Sequence, residues 1–543
     1  MIPAGGGEAG ALSGKAAAAQ NVETAAGADK PNFVVVMVDD QSHNTFRRGV
    51  MPKTFQHVLD DDGTRFGNAI AVPPLCCPAR AGLQTGQYPH NHGVGSNNYG
   101  LLRDKDNILP AWLQRAGYRT GLVGKYMNLY DEHRGAEPAP GFDYWRVSVK
   151  RPQYFDVPVS FNGQVYTESK YFTVATNDYA VDFLRTTPKG QPFFLWIAHY
   201  APHGHNHNRK ETCGYFTPQA LKKDYKTYRR AQMPLPANFN EANVSDKPVD
   251  KIRKAKRINR ETRELLNERY RCTLAALQPV DRGINRVVKE IKKRGEWNRT
   301  VFVYLSDNGL FFGEHRQEKG KGLPYREVVE VPFMMRVPRQ VLGMRALSKT
   351  PALVSNIDLA PTFLELAGAE PCVSASRCRV MDGRSLVPVL RGEDNFAGRT
   401  MLIEQGPEHC YGWQSAWTAK AAYTEHFKRT ANGGCRFVGK EYYDFTRDPY
   451  QLHNELAGKS GQRGNKKAAN GKKSKKAKGK KKAKKNRRKR QRAKAKAKRA
   501  KKQVKKRTGS AGVPGADELR QRLQELRGCS GVAGRDNTAH PCD

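Results

Sequence analysis

The chain has 543 residues, of which 38% are hydrophobic, and a formal net charge of +42 at neutral pH. This length suits one large and one small domain. No run approaches the ~18 consecutive apolar residues that a membrane-spanning helix needs, so we expect no such helix. The segment from Lys459 to Arg507 has 28 Lys or Arg residues and no acidic residue, which leaves a formal charge of +14 elsewhere. The rest of the chain is therefore mildly basic, as suits an anionic substrate.

Residues 1–30 are rich in Ala and Gly, and we expect them to be disordered. They contain no clear signal peptide, because no apolar core follows a basic start. Disulfide bonds are typical of an oxidising compartment, so short-range cysteine pairs favour a secreted, periplasmic or otherwise extracellular protein. Three such pairs are candidates: Cys372/Cys378, Cys410/Cys435 and Cys529/Cys542.

Four short apolar runs end abruptly in polar side chains, as strands buried on both faces of a parallel sheet do. The runs are 33–38, ending in Asp39 and Asp40; 118–124, ending in Lys125; 192–198, followed by His199 and His203; and 301–306, ending in Asp307 and Asn308. Ligands of an open α/β sheet bind at the carboxyl ends of its strands, so we expect these groups along one edge. Two adjacent carboxylates need a cation or hydrogen-bond donors, although Asp39-Asp40 could also be a solvated strand end.

Helical segments separate these strands, as a parallel sheet requires. We predict short helices at 108–117, 178–184 and 359–367, and a long amphipathic helix over 264–291 with a kink at Pro279. The polar region between residues 204 and 257 is interpreted as a surface excursion that borders the site.

After about residue 398, short mixed strands at 401–404, 413–417 and 437–445 predict a small antiparallel sheet, and 519–526 predicts a final amphipathic helix. The basic segment is too charged to fold alone. We therefore expect a main domain over 31–398 and a smaller C-terminal domain over 399–543, interrupted by a disordered insertion at about 459–507.

The most informative stretch is Leu75–Gly86, in which Cys76-Cys77-Pro78 is followed closely by Arg80. Pro78 suits the first turn of a helix, because it lacks an N–H and its φ is preset. A helix that begins here would place Cys76 at its positive end, where anions are favoured. A buried structural cysteine pair beside a loop is the alternative interpretation.

The pattern Cys76-x-Pro78-Ala79-Arg80 resembles the signature of the type I sulfatases, in which the first cysteine is oxidised to formylglycine. The resemblance covers residues 31 to about 456 and resumes at 519. It implies an alkaline-phosphatase-like α/β/α sandwich with a mostly parallel sheet, and a smaller C-terminal domain with an antiparallel sheet. Together with Tyr88–His92, the motif looks most like the N-acetylglucosamine-6-sulfatases and heparan endosulfatases.

The resemblance also implies roles for the residues at the strand ends. The expected metal ligands are Asp39, Asp40, Cys76, Asp307 and Asn308, and their oxygen atoms suit Ca²⁺ or Mg²⁺. The expected catalytic set is Cys76 as formylglycine, Arg80 beside it, Lys125 and Lys321 on the sulfate, and His203 near the leaving oxygen. One departure is Lys125-Tyr126-Met127, where many sulfatases have Lys-x-His; the glucosamine-6-sulfatase subgroup also lacks this histidine.

The expected activity is hydrolysis of sulfate esters, of sulfated sugars such as 6-sulfated N-acetylglucosamine or of aryl sulfates. The expected partners are a sulfated small molecule or polysaccharide and, during maturation, a formylglycine-generating enzyme. The basic segment would bind polyanions non-specifically, as a nucleic-acid arm also would. Two alternatives stay open: a phosphonate monoester or phosphodiester hydrolase on the same scaffold, and a polyanion-binding protein with a vestigial enzyme domain.

Overall fold

A computed structural model describes residues 30–205, 213–214, 216–406, 410–458, 513–533, 535–536 and 538–543. The predicted disordered start, apart from Lys30, and the predicted basic insertion at about 459–507 lie outside these residues. Among the helices of the described residues, none is long and apolar enough to cross a membrane.

Strands of the described residues form three sheets. The strands are β1 (Asn32–Val38), β2 (Gly63–Ile70), β3 (Arg119–Gly124), β4 (Tyr144–Ser148), β5 (Val157–Phe161), β6 (Gln164–Glu168), β7 (Phe193–Ala198), β8 (Thr300–Ser306), β9 (Phe333–Arg336), β10 (Lys349–Ser355), β11 (Cys372–Ser374), β12 (Arg377–Cys378), β13 (Met401–Gln405), β14 (Trp413–Trp417), β15 (Ala421–Arg429) and β16 (Cys435–Asp444).

The central sheet has ten strands in the order β10-β2-β9-β8-β1-β7-β3-β4-β5-β6. Its middle is parallel, since β8, β1, β7, β3 and β4 are neighbours that run in one direction. Antiparallel pairs join β9, β5 and β6 to this core. The mostly parallel α/β sheet is confirmed, and the four predicted strands are the adjacent strands β8, β1, β7 and β3.

Both faces of the central sheet are covered. Along β1, Phe33 and Val35 pack into one hydrophobic cluster and Val34 and Val36 into another on the opposite face. All four side chains are fully buried. This two-sided burial explains why the strand is a continuous apolar run rather than an alternating one.

Along the chain, most α-helices of the described residues come between two strands of the central sheet. They are Pro52–Thr54, Cys76–Thr85, Pro89–His92, Leu109–Arg115, Tyr130–Arg134, Phe172–Thr186, Lys222–Tyr228, Asp250–Arg253, Arg260–Lys293, Arg326–Val329, Arg339–Leu342, Leu359–Ala367, Val387–Arg391 and Pro514–Leu526. The predicted long helix is Arg260–Lys293, which is longer than expected and contains Pro279. The predicted helix at 178–184 is the second half of Phe172–Thr186.

The C-terminal part contains the predicted antiparallel sheet, in the order β13-β14-β15-β16. The helix Pro514–Leu526 packs against it through Leu519, Leu523 and Leu526, in one cluster with Trp417. The three predicted disulfides are confirmed, and a fourth, Cys213–Cys272, was not predicted. The remaining two cysteines, Cys76 and Cys77, are free and buried.

Candidate active site

The predicted site residues meet at the carboxyl end of the central parallel strands. Cys76 and Arg80 come from the helix Cys76–Thr85, and Lys321 from the loop after β8. The others follow strands: Asp39 and Asp40 after β1, Lys125 after β3, His203 after β7, and Asp307 and Asn308 after β8. Hydrogen bonds or ion pairs connect all nine.

Cys76 is the first residue of its helix, as the position of Pro78 predicted. Its thiol donates a hydrogen bond to Asp39 Oδ1 at 3.3 Å, and Lys321 Nζ lies 2.7 Å from its sulfur. Burial, with a smaller contribution from Asp39, raises the pKa of the Cys76 thiol to about 12. The unmodified thiol would therefore be protonated at neutral pH and a poor nucleophile.

Four side chains form a pocket that could hold a metal ion. Ligand atoms of Asp39, Asp40, Cys76 and His203 all lie within 4.8 Å of one another. Beside them, Asn308 Oδ1 is buried and has no hydrogen-bond partner among the described residues. A buried carbonyl oxygen without a partner is costly, so this atom fits a cation ligand. The oxygen donors of Asp39, Asp40 and Asn308 suit a hard divalent ion.

Asp307 is held mainly by Arg80. Arg80 donates to Asp307 Oδ2 through Nε at 3.1 Å and Nη2 at 2.9 Å, and the backbone N–H of Asp40 donates to Asp307 Oδ1 at 3.2 Å. Burial, and then Asp39, raise the pKa of the Asp307 carboxyl to about 6. Asp307 thus lies beside the four-residue group without belonging to it, and its role as a metal ligand stays a prediction.

The site balances its fixed charges. Lys125 Nζ pairs with Asp39 Oδ2, and Lys321 Nζ pairs with Asp40 Oδ1. Burial alone would raise the pKa of Asp39, but Lys125 and then the other nearby cations hold it well below its usual range. Three cationic side chains therefore face three carboxylates. An added divalent ion would give the site a net positive charge, which favours an anionic ester.

His203 is oriented by the backbone. Its Nδ1 donates to the carbonyl of Gly204 at 2.6 Å, and its Nε2 lies 3.5 Å from Asp40 Oδ2. Burial lowers the pKa of His203 to about 4. At neutral pH the ring is therefore neutral, with the Nε2 lone pair facing the site. The sequence predicted that His203 lies near the leaving oxygen, but it did not predict that His203 lies this close to the candidate metal ligands.

Two further side chains next to the site were missed in the sequence. Tyr200 stacks on His203 with ring centroids 4.9 Å apart, and Lys125 Nζ lies 5.9 Å from its centroid. Arg269 is only 8% exposed, and burial lowers its pKa to about 10 although Asp40 opposes the shift. Tyr200 could have been found as the neighbour of Ala201-Pro202-His203. Arg269 could not, because it is one of many charged residues in an amphipathic helix.

Family models match most of the chain. The model described as Sulfatase matches residues 31–369, and the one described as N-sulphoglucosamine sulphohydrolase, C-terminal, matches residues 313–474. The chain belongs to the sulfatase family. It is accordingly a sulfuric ester hydrolase, as predicted from the motif around Cys76.

Relatives with curated names agree with this family. An extracellular sulfatase SULF-1 homolog of Drosophila melanogaster is 32% identical over 376 residues, which cover 66% of this chain and 31% of that protein. Human N-acetylglucosamine-6-sulfatase is 32% identical over 400 residues, which cover 70% of this chain and 68% of that protein. The chain thus spans about a third of the fly relative and two thirds of the human one.

Solved structures share the fold. A protein in complex with its substrate D-glucosamine-2-N,6-O-disulfate has a TM-score of 0.62 at 22% identity, covering 79% of this chain and 94% of that one. The phosphonate monoester hydrolase of Agrobacterium radiobacter has a TM-score of 0.57 at 19% identity, covering 79% and 92%. At these identities the likeness shows the fold alone.

Proposed function

We propose that this enzyme removes sulfate from sulfated sugars outside the cytoplasm, with 6-sulfated N-acetylglucosamine as the first candidate substrate. The observation that carries the proposal is the position of Cys76 at a helix start, in contact with Asp39 and Lys321. The human relative named for N-acetylglucosamine-6-sulfate supports the choice of sugar. The disulfides among the described residues support an oxidising compartment.

The proposed nucleophile is formylglycine at position 76. A separate maturation enzyme would oxidise the carbon that bears the Cys76 thiol to an aldehyde, with loss of the sulfur as sulfide. That enzyme would supply the oxidant, which is molecular oxygen or another electron acceptor. The aldehyde then adds water and becomes a diol, whose hydroxyl groups take the place of the poorly nucleophilic thiol.

The proposed metal ligands are Asp39, Asp40, residue 76, Asp307 and Asn308, and the proposed ion is Ca²⁺ or Mg²⁺. A bound divalent ion would polarise a sulfate oxygen and lower the pKa of a neighbouring hydroxyl group. Lys125 and Lys321 are placed to offset negative charge on the sulfate oxygens. Arg80 would stabilise the negative charge of the ionised diol from the same buried position in which it pairs with Asp307.

In the proposed reaction, one hydroxyl oxygen of residue 76 bonds to sulfur while the bond from sulfur to the sugar oxygen breaks in line. The attacking hydroxyl group gives up its proton, which neutral His203 accepts at Nε2, and His203, together with Lys321, delivers a proton to the leaving sugar oxygen. The second hydroxyl group then loses its proton and reforms the aldehyde. The bond between the residue 76 carbon and the sulfate oxygen breaks, and inorganic sulfate leaves.

The test compares turnover of nitrophenyl sulfate with that of a phenylphosphonate ester, before and after treatment with a chelator. We expect a higher kcat/KM for the sulfate ester, loss of activity on chelation, and recovery with Ca²⁺ or Mg²⁺. Preference for the phosphonate ester would favour the alternative, a phosphonate monoester hydrolase. That alternative is included because a phosphonate monoester hydrolase has the same fold. A panel of sulfated sugars, beginning with 6-sulfated glucosamine derivatives, would then identify the substrate.

A further inference from the structure

The loop that carries Lys321, residues 311–325, is closed around one buried histidine. We call it the Lys321 loop. The ring of His315 is fully buried, and its centroid lies 4.4 Å from that of Tyr325 and 6.5 Å from that of Phe311. Phe311 also donates through its backbone N–H to the carbonyl of Gly320 at 3.2 Å. Both ends of the loop therefore pack on His315, and the position of Lys321 depends on that ring.

The backbone at His315 is strained. His315 and the next residue, Arg316, have φ angles of 49° and 63°, in the left-handed region that residues with a β-carbon avoid. Residues in such conformations persist only where the surrounding structure fixes them. The Lys321 loop therefore needs contacts with other segments to keep its shape.

Those contacts come from the excursion between residues 204 and 257. The carbonyl of Asn238 accepts from the backbone N–H of His315 at 2.8 Å, and Asn238 Nδ2 lies 3.3 Å from His315 Nε2. Glu241 Oε2 accepts from Nδ1 of the same ring at 2.7 Å. Arg316 donates through Nε to the carbonyl of Glu241 at 2.8 Å. The excursion thus binds both strained residues of the loop.

Glu241 is the charged group in this set that orients the ring. It is only 4% exposed, and its other oxygen lies 3.5 Å from Lys247 Nζ. Lys247 is also buried and donates to the backbone carbonyls of Gln451 and Leu452 at 2.9 and 3.0 Å. Because a carboxylate only accepts hydrogen bonds, Glu241 fixes the proton on His315 Nδ1 and with it the orientation of the ring.

We propose that Glu241 is a positioning residue for the sulfatase reaction, because it holds His315 and thereby places Lys321 Nζ beside residue 76. The inference rests on the proposed function, since it takes Lys321 as a partner in protonating the leaving oxygen. Lys321 Nζ lies 2.7 Å from Cys76 Sγ and pairs with Asp40 Oδ1. A displacement of the loop by about 1 Å would disturb both contacts and lower the rate. Glu241 acts through the loop and not on the reacting atoms.

The test measures kcat/KM for two aryl sulfates, nitrophenyl sulfate and phenyl sulfate. Phenolate is the more basic leaving group, so it depends more on the proton that His203 and Lys321 deliver. In Glu241→Leu, we expect kcat/KM to fall ~10-fold more for phenyl sulfate than for nitrophenyl sulfate. The ratio of the two values does not depend on how much enzyme is folded, so a loss of stability alone would not change it. Glu241→Gln keeps an acceptor for His315 Nδ1 and should restore the wild-type ratio.

Glu404→Leu is the matched control. It removes a fully buried carboxylate that accepts from a histidine Nδ1 at the same distance, 2.7 Å, but the histidine is His90, outside the Lys321 loop. This variant should keep the wild-type ratio. Should Glu241→Leu yield no folded protein, Asn238→Leu takes its place with the same expected shift, because it removes the contact with the other ring nitrogen of His315.

A double-mutant cycle with Lys321→Met tests the route of the effect. Lys321→Met alone should shift the ratio in the same direction as Glu241→Leu and by at least as much. If Glu241 acts through Lys321, adding Glu241→Leu to Lys321→Met should change the ratio little further. A purely structural role of Glu241 would not produce this lack of additivity.

The outcomes separate this inference from the function on which it rests. If wild type hydrolyses neither sulfate, or if Lys321→Met leaves the ratio unchanged, the proposed function fails at that point and this inference with it. If Lys321→Met shifts the ratio but Glu241→Leu, or Asn238→Leu in its place, does not, Glu241 is not a positioning residue. An equal shift in Glu404→Leu, or additive shifts in the cycle, would overturn the inference while the proposed function stands.

Discussion

Arg80 and Asp307 form an ion pair in which neither side chain is exposed, with Nη2 2.9 Å from Oδ2. The pair joins the helix that begins with Cys76 to the end of β8. Arg80 also donates to the backbone carbonyl of Lys125 at 2.6 Å. One guanidinium group therefore sets the relative positions of the proposed nucleophile, a proposed metal ligand and a lysine proposed to bind sulfate.

The first prediction concerns this pair. Arg80→Met leaves the Asp307 carboxylate buried without its partner, so we expect a loss of ~3–5 kcal/mol in the free energy of unfolding. Arg80→Lys keeps the charge but cannot donate two hydrogen bonds to one oxygen, so kcat should fall ~100-fold or more. Denaturant titration and kcat on nitrophenyl sulfate measure the two effects.

The matched control for this pair is Arg48→Met, which removes the exposed pair with Asp60. It should change neither stability nor kcat appreciably, because exposed ion pairs contribute little. Wild-type kcat in Arg80→Lys would contradict the role given to the paired hydrogen bonds.

The second prediction concerns the unpredicted disulfide Cys213–Cys272, which joins residues 59 apart in sequence. Chain entropy gives a stabilisation of ~4 kcal/mol for a loop of this length, against ~3 kcal/mol for the 13-residue separation of Cys529–Cys542. The double variant Cys213→Ser/Cys272→Ser should therefore lower Tm more than Cys529→Ser/Cys542→Ser. Equal Tm values, or a larger effect of the second pair, would show that the entropic argument fails here.

The sequence predicted the parts of the fold that depend on the pattern of neighbouring residues. Strand β1 is a continuous apolar run because it is buried on both faces, and the polar residues after it mark the site. Strand β15 was missed because Ala421–Arg429 mixes exposed charged residues with buried ones. Edge strand β6 was missed because it is largely exposed and needs no apolar run.

Contacts between distant segments could not be predicted in the same way. The Cys213–Cys272 bond depends on how the excursion folds back on a long helix, and no spacing rule indicates it. The same holds for the ion pair between Arg80 and Asp307, which no motif indicated, while the role of Asp307 as a metal ligand stays a prediction. Which ion pairs form in the site depends on which of several nearby charged groups comes within hydrogen-bond distance.

The third prediction is a pH effect at His90, which contacts Glu404 at 2.7 Å and the backbone carbonyl of Cys529 at 2.8 Å. Although burial lowers it, the contact with Glu404 raises the pKa of His90 to about 9. Because the folded pKa lies above the unfolded value of ~6.5, the stabilisation is fully present below pH ~6.5 and is lost as pH rises through ~9. This linkage contributes up to ~3 kcal/mol.

The free energy of unfolding at pH 6 and pH 9 tests this effect. We expect the difference between wild type and His90→Gln to be largest at pH 6 and to shrink at pH 9. His453→Gln removes an exposed histidine and serves as the control. A difference that grows with pH would show that His90 is neutral in the folded protein.

The fourth prediction concerns the basic segment, which lies outside the described residues. Deleting Lys459 to Arg507 removes 28 positive charges but none of the proposed site residues. We expect nearly unchanged kcat/KM for nitrophenyl sulfate, weaker retention on a heparin column and a flatter dependence of retention on salt. A folded deletion variant without activity on the small ester would place this segment in the active site.

The central claim is that residue 76 acts as formylglycine, and peptide mass spectrometry of active protein tests it most directly. We expect the peptide that contains residue 76 to carry an aldehyde in proportion to activity on nitrophenyl sulfate. Cys76→Ala should abolish turnover, whereas Cys77→Ser should retain much of it. Normal turnover by protein in which residue 76 is entirely unmodified cysteine would contradict the account.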